Sequence, residues 1–237
     1  MAEITEIHRS SIFDSSCQTL VNTVNCVGVM GRGLALEFKM RFPSMYEQYR
    51  SVCERHALRP GMLLLFKTST PWILNFPTKD HWKYPSKPEY LEAGLRKFAE
   101  TYAEKGITSI AFPKLGTTSG KLEWDDVRSV MYRYLEPLQN LQVEIYHFDP
   151  DSKDSFFDKL YQKIHRMSID DYMQHLGLKR RQATLLHEAI TSGAITNMLG
   201  IQSIDGVGEK SINAIYEFAR GSTTRVVTEA ERQMKLF

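Results

Sequence analysis

Two asparagines, Asn22 and Asn25, stand just ahead of glycines at 28, 31 and 33, and Lys79 follows a Phe-Pro-Thr run further along the chain. Glycines let backbone amides approach a ligand closely, and the helix expected behind them favours negative charge at its N-terminus. The stretch from Val21 to Ala35 therefore reads as a buried strand entering a phosphate-binding turn. The asparagine amides are neutral hydrogen-bonding groups suited to sugar hydroxyls. The ligand implied is a phosphorylated sugar or nucleotide, with ribose plus diphosphate the sharper reading.

A lone glycine pattern between a strand and a helix often serves only tight packing. A second such turn, Phe112-Pro113-Lys114-Leu115-Gly116-Thr117-Thr118-Ser119-Gly120, shifts that balance. In an open α/β sheet, turns of this kind gather at the carboxyl ends of the strands, where ligands bind. A third strand end carries Asn75-Phe76-Pro77-Thr78-Lys79-Asp80-His81-Trp82-Lys83. Lys79 is either a solvated surface lysine or a reactive one: beside a diphosphate and ribose, its cation could act as an electrophile and its neutral amine as a nucleophile.

The chain has 237 residues, 42% of them hydrophobic, enough for one substantial core and a small second one. Thirty Lys and Arg against 28 Asp and Glu give a formal charge of +2, so any nucleic-acid contact must be local. Cys17, Cys26 and Cys53 form no close-spaced pair, which argues against a metal site or a disulfide framework. No stretch approaches the roughly 20 apolar residues that span a bilayer. The expectation is a reduced, cytoplasmic protein with no membrane association, metal or cofactor.

The elements that must position these residues alternate. Strand patterns cover residues 4–8, 19–24, 62–68, 72–76, 109–112 and 143–148, with helices between them. One helix runs from Leu34 to Arg41, a second is capped by Ser44, a third carries the stripe Leu91, Leu95, Phe98 and Tyr102, and a fourth runs from Trp124 to Leu135. The fold expected is α/β, a mixed sheet between two helical layers. After Pro150 the chain turns polar and then reads as short helices over residues 156–167, 169–176, 181–191, 194–199 and 209–220. This places one domain at 1–150, a small all-α domain at 151–220 and a mobile tail at 221–237.

Together the Val-Asn-x-Val-Asn-x-x-Gly-Val-Met-Gly-x-Gly-Leu-Ala run from Val21 to Ala35, the Asn-Phe-Pro-Thr-Lys-x-His-Trp run from Asn75 to Trp82 and the later glycine turn resemble the macrodomain family. The likeness is to its DarG branch, which is similar to the terminal ADP-ribose protein glycohydrolases, and covers roughly residues 3 to 149. It implies a three-layer fold and removal of ADP-ribose, in that branch from a thymine base of single-stranded DNA, alongside a DarT-like toxin. Removal from protein carboxylates, or reading of ADP-ribose without catalysis, is the rival expectation.

The resemblance assigns catalysis to Asn22 and Lys79 and the distal ribose to Asn25. It assigns ADP-ribose contacts to the first loop, with Gly28, Val29, Met30, Gly31, Gly33 and Leu34, to Thr78, and to the second, with Pro113, Leu115, Gly116, Thr117, Thr118, Ser119 and Gly120, in the manner of a backbone nest. Many macrodomains carry Gly-Asp-Ile after the first strand, the Asp bonding the adenine amino group; here Ser10-Ser11-Ile12 stands instead. Adenine is then left to Ser11, Ile12 or backbone, with Phe148 either stacking on the ring or simply core.

Two C-terminal signals remain. The stretch from Ile201 to Ile215 resembles a helix-hairpin-helix, whose Gly206-Val207-Gly208 turn and Lys210 would hold a nucleic-acid phosphate without reading sequence, the alternative being a purely structural turn. Lys179-Arg180-Arg181 could add phosphate contacts. The terminal Gln233-Met234-Lys235-Leu236-Phe237 is similar to peptides that dock on the bacterial sliding clamp, with Leu236 and Phe237 as apolar anchors.

Overall fold

A computed structural model describes residues 1–147, 149, 151–152, 154–221 and 234–237. Among the described residues seven strands form one mixed sheet: β1 (Glu3–Ile7), β2 (Thr19–Val24), β3 (Leu64–Phe66), β4 (Trp72–Pro77), β5 (Ser109–Pro113), β6 (Gln142–Tyr146) and β7 (Met234–Leu236), in the spatial order β1-β6-β5-β2-β4-β3-β7. The first five of that order run parallel, so their carboxyl ends share one edge, while β3 is antiparallel to β4.

Parallel strands covered on both faces need near-continuous apolar sequence. β4 (Trp72-Ile-Leu-Asn-Phe-Pro) supplies it, broken by one asparagine, and β2 (Thr19-Leu-Val-Asn-Thr-Val) does so with Asn22 and two threonines among its apolar residues. One face packs on α3 (Pro88–Lys105) and α4 (Trp124–Leu135) through Leu74, Phe76, Leu95, Phe98 and Met131. The other packs on α1 (Gly33–Arg41) and α2 (Pro43–Glu54) through Leu20, Ile73, Phe38, Met45 and Tyr49. The sequence expectation placed Ser44 at the cap of α2; Pro43 occupies the first turn and Phe42 the cap, because a ring-fixed φ suits a position whose N–H has no helical partner.

The C-terminal helices are α5 (Ser155–Ile164), α6 (Ile169–Leu176), α7 (Arg180–Thr191), α8 (Met198–Gln202) and α9 (Glu209–Arg220). The expected helix over 194–199 starts later, at Met198, because the Asn197 side chain accepts from the Gly200 amide and caps it there. The boundary at residue 150 does not separate two independent cores. Leu36 and Met40 of α1 belong to the same apolar cluster as Leu160, Leu186, Ile201 and Ile215.

Across that junction Arg41 pairs with Asp154 and with Glu37, both carboxylates only 2% exposed. Burial pushes the Glu37 carboxyl up to about 7 against the pull of Arg41, with Asp154 adding to the rise. Asp154 also caps α5 through the Phe156 amide and accepts from the Met198 amide at 3.1 Å, so one carboxylate joins α1, α5 and α8.

The tail expected to be free at its end is docked there. Residues 234–236 pair antiparallel with β3, and Leu63 and Phe237 exchange backbone hydrogen bonds of 2.6 and 2.8 Å. The Phe237 ring packs on the main core with the Lys105 ammonium 5.0 Å from its centroid. An open strand edge is a row of unpaired donors and acceptors, and this segment covers it. Of the anchors proposed for clamp binding, Phe237 is engaged within the chain, while Leu236 pairs with β3 through its backbone and keeps its side chain exposed; Gln233 lies outside the described residues, as does Phe148.

Candidate active site

The carboxyl ends of β1, β6, β5, β2 and β4 open into a cleft of about 920 Å³. Four strand spacings of roughly 4.8 Å separate β1 from β4, so the edge is about 19 Å long. Ser11 and Ile12 lie at the β1 end, the two glycine turns after β5 and β2 in the middle, and Lys79 at the β4 end.

In the middle, α1 starts at Gly33, and no side chain caps it. Gly31, Arg32, Gly33 and Leu34 line the cleft here, and the uncapped amides of a helix start are groups that can receive an anion. Asn25 shapes this loop. Its Oδ1 accepts from the Val27 and Val29 amides at 3.0 and 3.3 Å, its Nδ2 donates to the Val29 carbonyl at 2.6 Å, and Tyr49 Oη donates to its carbonyl at 2.8 Å. The side chain expected to hold a ribose thus braces the turn, although the residue does line the cleft.

The second turn is braced in the same way. Leu122 and Lys121 amides donate to the Gly116 and Thr117 carbonyls at 3.1 Å, and the Ser86 amide donates to the Gly120 carbonyl at 3.0 Å. A Cβ at Gly120 would run into the Gly116 carbonyl and the Ser86 hydroxyl, so only glycine closes this turn.

At the β4 end, Lys79 Nζ donates to the Ser119 carbonyl at 2.6 Å. The Thr78 amide donates to the Val24 carbonyl at 3.0 Å and the Cys26 amide to the Asp80 carbonyl at 2.9 Å, which laces the lysine segment to the strand end of β2. Partial burial, then the neighbouring Arg32 and Lys121 cations, hold the Lys79 ammonium below its usual range. Beyond it His81, Trp82 and Tyr84 cluster, with ring centroids 5.5 and 5.7 Å apart; Trp82 is 48% exposed, and Lys83 Nζ lies 5.3 Å over its ring.

Of the residues expected in the site, Ser11, Ile12, Asn25, Val29, Gly31, Gly33, Leu34, Thr78 and Lys79 line the cleft, as do Pro113, Gly116, Thr117, Thr118, Ser119 and Gly120. Gly28, Met30 and Leu115 do not; Met30 and Leu115 are buried behind it. Asn22 is likewise fully buried within the sheet, where its Nδ2 donates to Asn75 Oδ1 at 2.9 Å across the β2–β4 register. It lies outside the cleft lining, whereas Lys79 is part of it.

Sequence reasoning found no metal ligands, and the structure does bring Glu6, His8 and His147 within 4.8 Å of one another. Two of the three are already paired: His147 Nε2 and Glu6 Oε2 are 2.7 Å apart, and the imidazoles of His8 and His147 stack at 4.0 Å. Burial would raise the Glu6 carboxyl, but hydrogen bonds from Arg128, His147 and Tyr132 hold it at about 2.

Residues of the helical module also line the cleft, which nothing in the sequence pattern signalled: Gln202 and Ser203 at the end of α8, and Val207, Gly208 and Glu209 at the start of α9. Two residues of the expected phosphate-holding turn, Val207 and Gly208, therefore line this cleft. Val207 is buried, Gly206 accepts from the Gln182 side chain, and Lys210 is exposed. Of the basic triplet, Arg180 pairs with Asp170 at 2.8 Å and Arg181 with Asp205 at 2.6 Å, which reduces the field available to a phosphate. Among the described residues no helix is long and apolar enough to cross a membrane.

Comparison with known proteins follows the same lines. The family model described as Macro domain matches residues 21–131. The DNA ADP-ribosyl glycohydrolase of Thermus aquaticus is 39% identical over 142 residues, covering 58% of this chain and 39% of that protein, so the match spans about two fifths of the relative's length. Among solved structures, Thermosipho africanus DarTG in complex with ADP-ribose superimposes with a TM-score of 0.59 at 38% identity, over 62% of this chain and 42% of that one. The macrodomain of Mycobacterium tuberculosis DarG superimposes with a TM-score of 0.60 at 37% identity, over 63% of this chain and the whole of that domain. With the sheet order, the glycine turns and this full-length match to one domain in agreement, the chain belongs to the macrodomain family.

Proposed function

We propose that this chain hydrolyses the glycosidic bond joining ADP-ribose to a base of single-stranded DNA, thymine being the base the resemblance implies. The observation that carries the reading is the position of Lys79. It closes one end of a cleft with an anion-binding middle, and it borders an exposed aromatic cluster flanked by cations. Exposed rings that stack bases, together with a positive groove, are how single strands are held without sequence readout. The Thermus relative, named DNA ADP-ribosyl glycohydrolase, and the Thermosipho structure, which is a complex with ADP-ribose, support the same assignment.

The diphosphate lies on the amides of α1 and the two glycine turns, and the distal ribose meets Lys79. A pKa depressed by burial and by like charges favours the neutral amine. That amine attacks the anomeric carbon, the base leaves with the bond's electron pair and takes up a proton, and water then releases ADP-ribose from the adduct. A DNA ADP-ribosyl transferase would supply the substrate, as its modified product is what this cleft would accept.

The test is turnover by wild type and Lys79→Ala on ADP-ribosylated single-stranded DNA and on ADP-ribosylated protein. Release from DNA by wild type, loss of it in Lys79→Ala and retained binding of free ADP-ribose are expected. Release from protein alone would overturn the DNA assignment, and unchanged turnover in Lys79→Ala would remove the lysine from the chemistry.

A further inference from the structure

The end of the cleft opposite Lys79 is built from two parts of the chain. Ser11 and Ile12 follow β1, and the helical module lies against them: Asp14 accepts from the Ser155 amide at 3.0 Å, and the Arg41 guanidinium sits 4.1 Å over the Phe13 ring while pairing with Asp154. If the diphosphate occupies the middle and the distal ribose meets Lys79, the adenosine half must extend toward this end. This placement rests on the ADP-ribose reading above.

The polar groups there are mostly engaged. Ser11 Oγ accepts from the Phe13 amide at 3.3 Å, His147 Nε2 is paired with Glu6, and Glu37 is paired with Arg41. Gln202 differs. It lines the cleft from the end of α8, and both its Nε2 and its Oε1 are buried with no hydrogen-bond partner. A buried donor and acceptor left together without partners is uncommon in a folded protein and asks for an explanation.

We propose that Gln202 reads the adenine of the ligand, its Oε1 accepting from the exocyclic amino group and its Nε2 donating to a ring nitrogen beside it. A glutamine amide matches that edge of adenine in both respects, and such two-point contacts discriminate strongly between bases. Gln202 thereby takes the role of the acidic side chain that Ser10-Ser11-Ile12 lacks. The helical module then completes the ligand site, beyond any part it has in holding DNA.

The experiment uses the full chain and calorimetric binding of two probes: ADP-ribose, and the same molecule with unsubstituted purine in place of adenine. Wild type is expected to prefer ADP-ribose by at least about tenfold. In Gln202→Leu, ADP-ribose should bind at least about tenfold more weakly, with the preference between probes lost. Its ligand-free melting midpoint should equal or exceed that of wild type, because an unpaired buried amide has been removed. Gln202→Glu, which keeps an acceptor and loses the donor, should weaken ADP-ribose binding while retaining some preference for the amino group.

A Gln202→Leu protein that keeps the wild-type preference overturns the proposal, as does a lowered melting midpoint with unchanged preference, which would mark a structural glutamine. Equal binding of the two probes by wild type also overturns it. Failure of wild type to bind either probe would instead overturn the ADP-ribose reading on which it stands.

Discussion

Lys79 Nζ donates to the carbonyl oxygen of Ser119 at 2.6 Å, although their strands, β4 and β5, are not neighbours in the sheet: β2 runs between them. The bond therefore reaches across roughly 10 Å of sheet edge and ties the lysine segment to the second glycine turn. A ligand's distal sugar would meet the ammonium at the point where the two turns converge.

The pH dependence of turnover follows from the charge around that ammonium. Burial, Arg32 and Lys121 all lower the Lys79 pKa below 10.5, so the amine is neutral at a lower pH than in a free lysine. With the neutral amine as the proposed nucleophile, kcat should rise with pH and level off at an apparent pKa below 10.5. Lys79→Arg, cationic throughout, should lose about 10²–10⁴-fold in kcat. A profile that instead falls through the lysine pKa would assign the role to the ammonium.

Removing the buried cation at the junction should be costly. Arg41→Met leaves Glu37 and Asp154, each 2% exposed, close together without their counter-charge. Loss of one partner from such a network typically costs about 3–5 kcal/mol. Denaturant unfolding should show that loss, and the transition should broaden or split as the helical module separates from α1. An Arg41→Met protein within about 0.5 kcal/mol of wild type would show that the network contributes little.

The docked C-terminus makes a different prediction. Deleting residues 234–237 uncovers β3 and removes both Leu63–Phe237 hydrogen bonds and the Phe237 contact with the core. A loss of about 1–3 kcal/mol is expected, with increased light scattering as the bare edge pairs between molecules. Turnover per folded molecule should not change, because neither β3 nor residues 234–237 line the cleft.

What the sequence disclosed was local. A glycine cluster between strand and helix, and a lysine at a strand end, carry their meaning within some ten residues, and both turns and Lys79 were legible for that reason. The burial of Asn22 was not legible, because its partner is Asn75, 53 residues away: only the β2–β4 register shows that the two asparagines meet inside the sheet. The docking of residues 234–237 on β3 depends on an edge formed about 170 residues earlier, which no local pattern records. Gln202 stands in an ordinary helical run, and its interest arises only where α8 is folded against the cleft.

The shared position of α1 has a thermodynamic meaning. Leu36 and Met40 seat this helix in the module's core while Gly33 and Leu34 at its N-terminus line the cleft, where the proposed diphosphate would lie. The helix is held from behind before any ligand arrives, so its amides lose little orientational freedom on binding. A shortened chain ending at residue 150 would leave those two side chains exposed, and its ligand would have to bear the entropy of ordering the anion site.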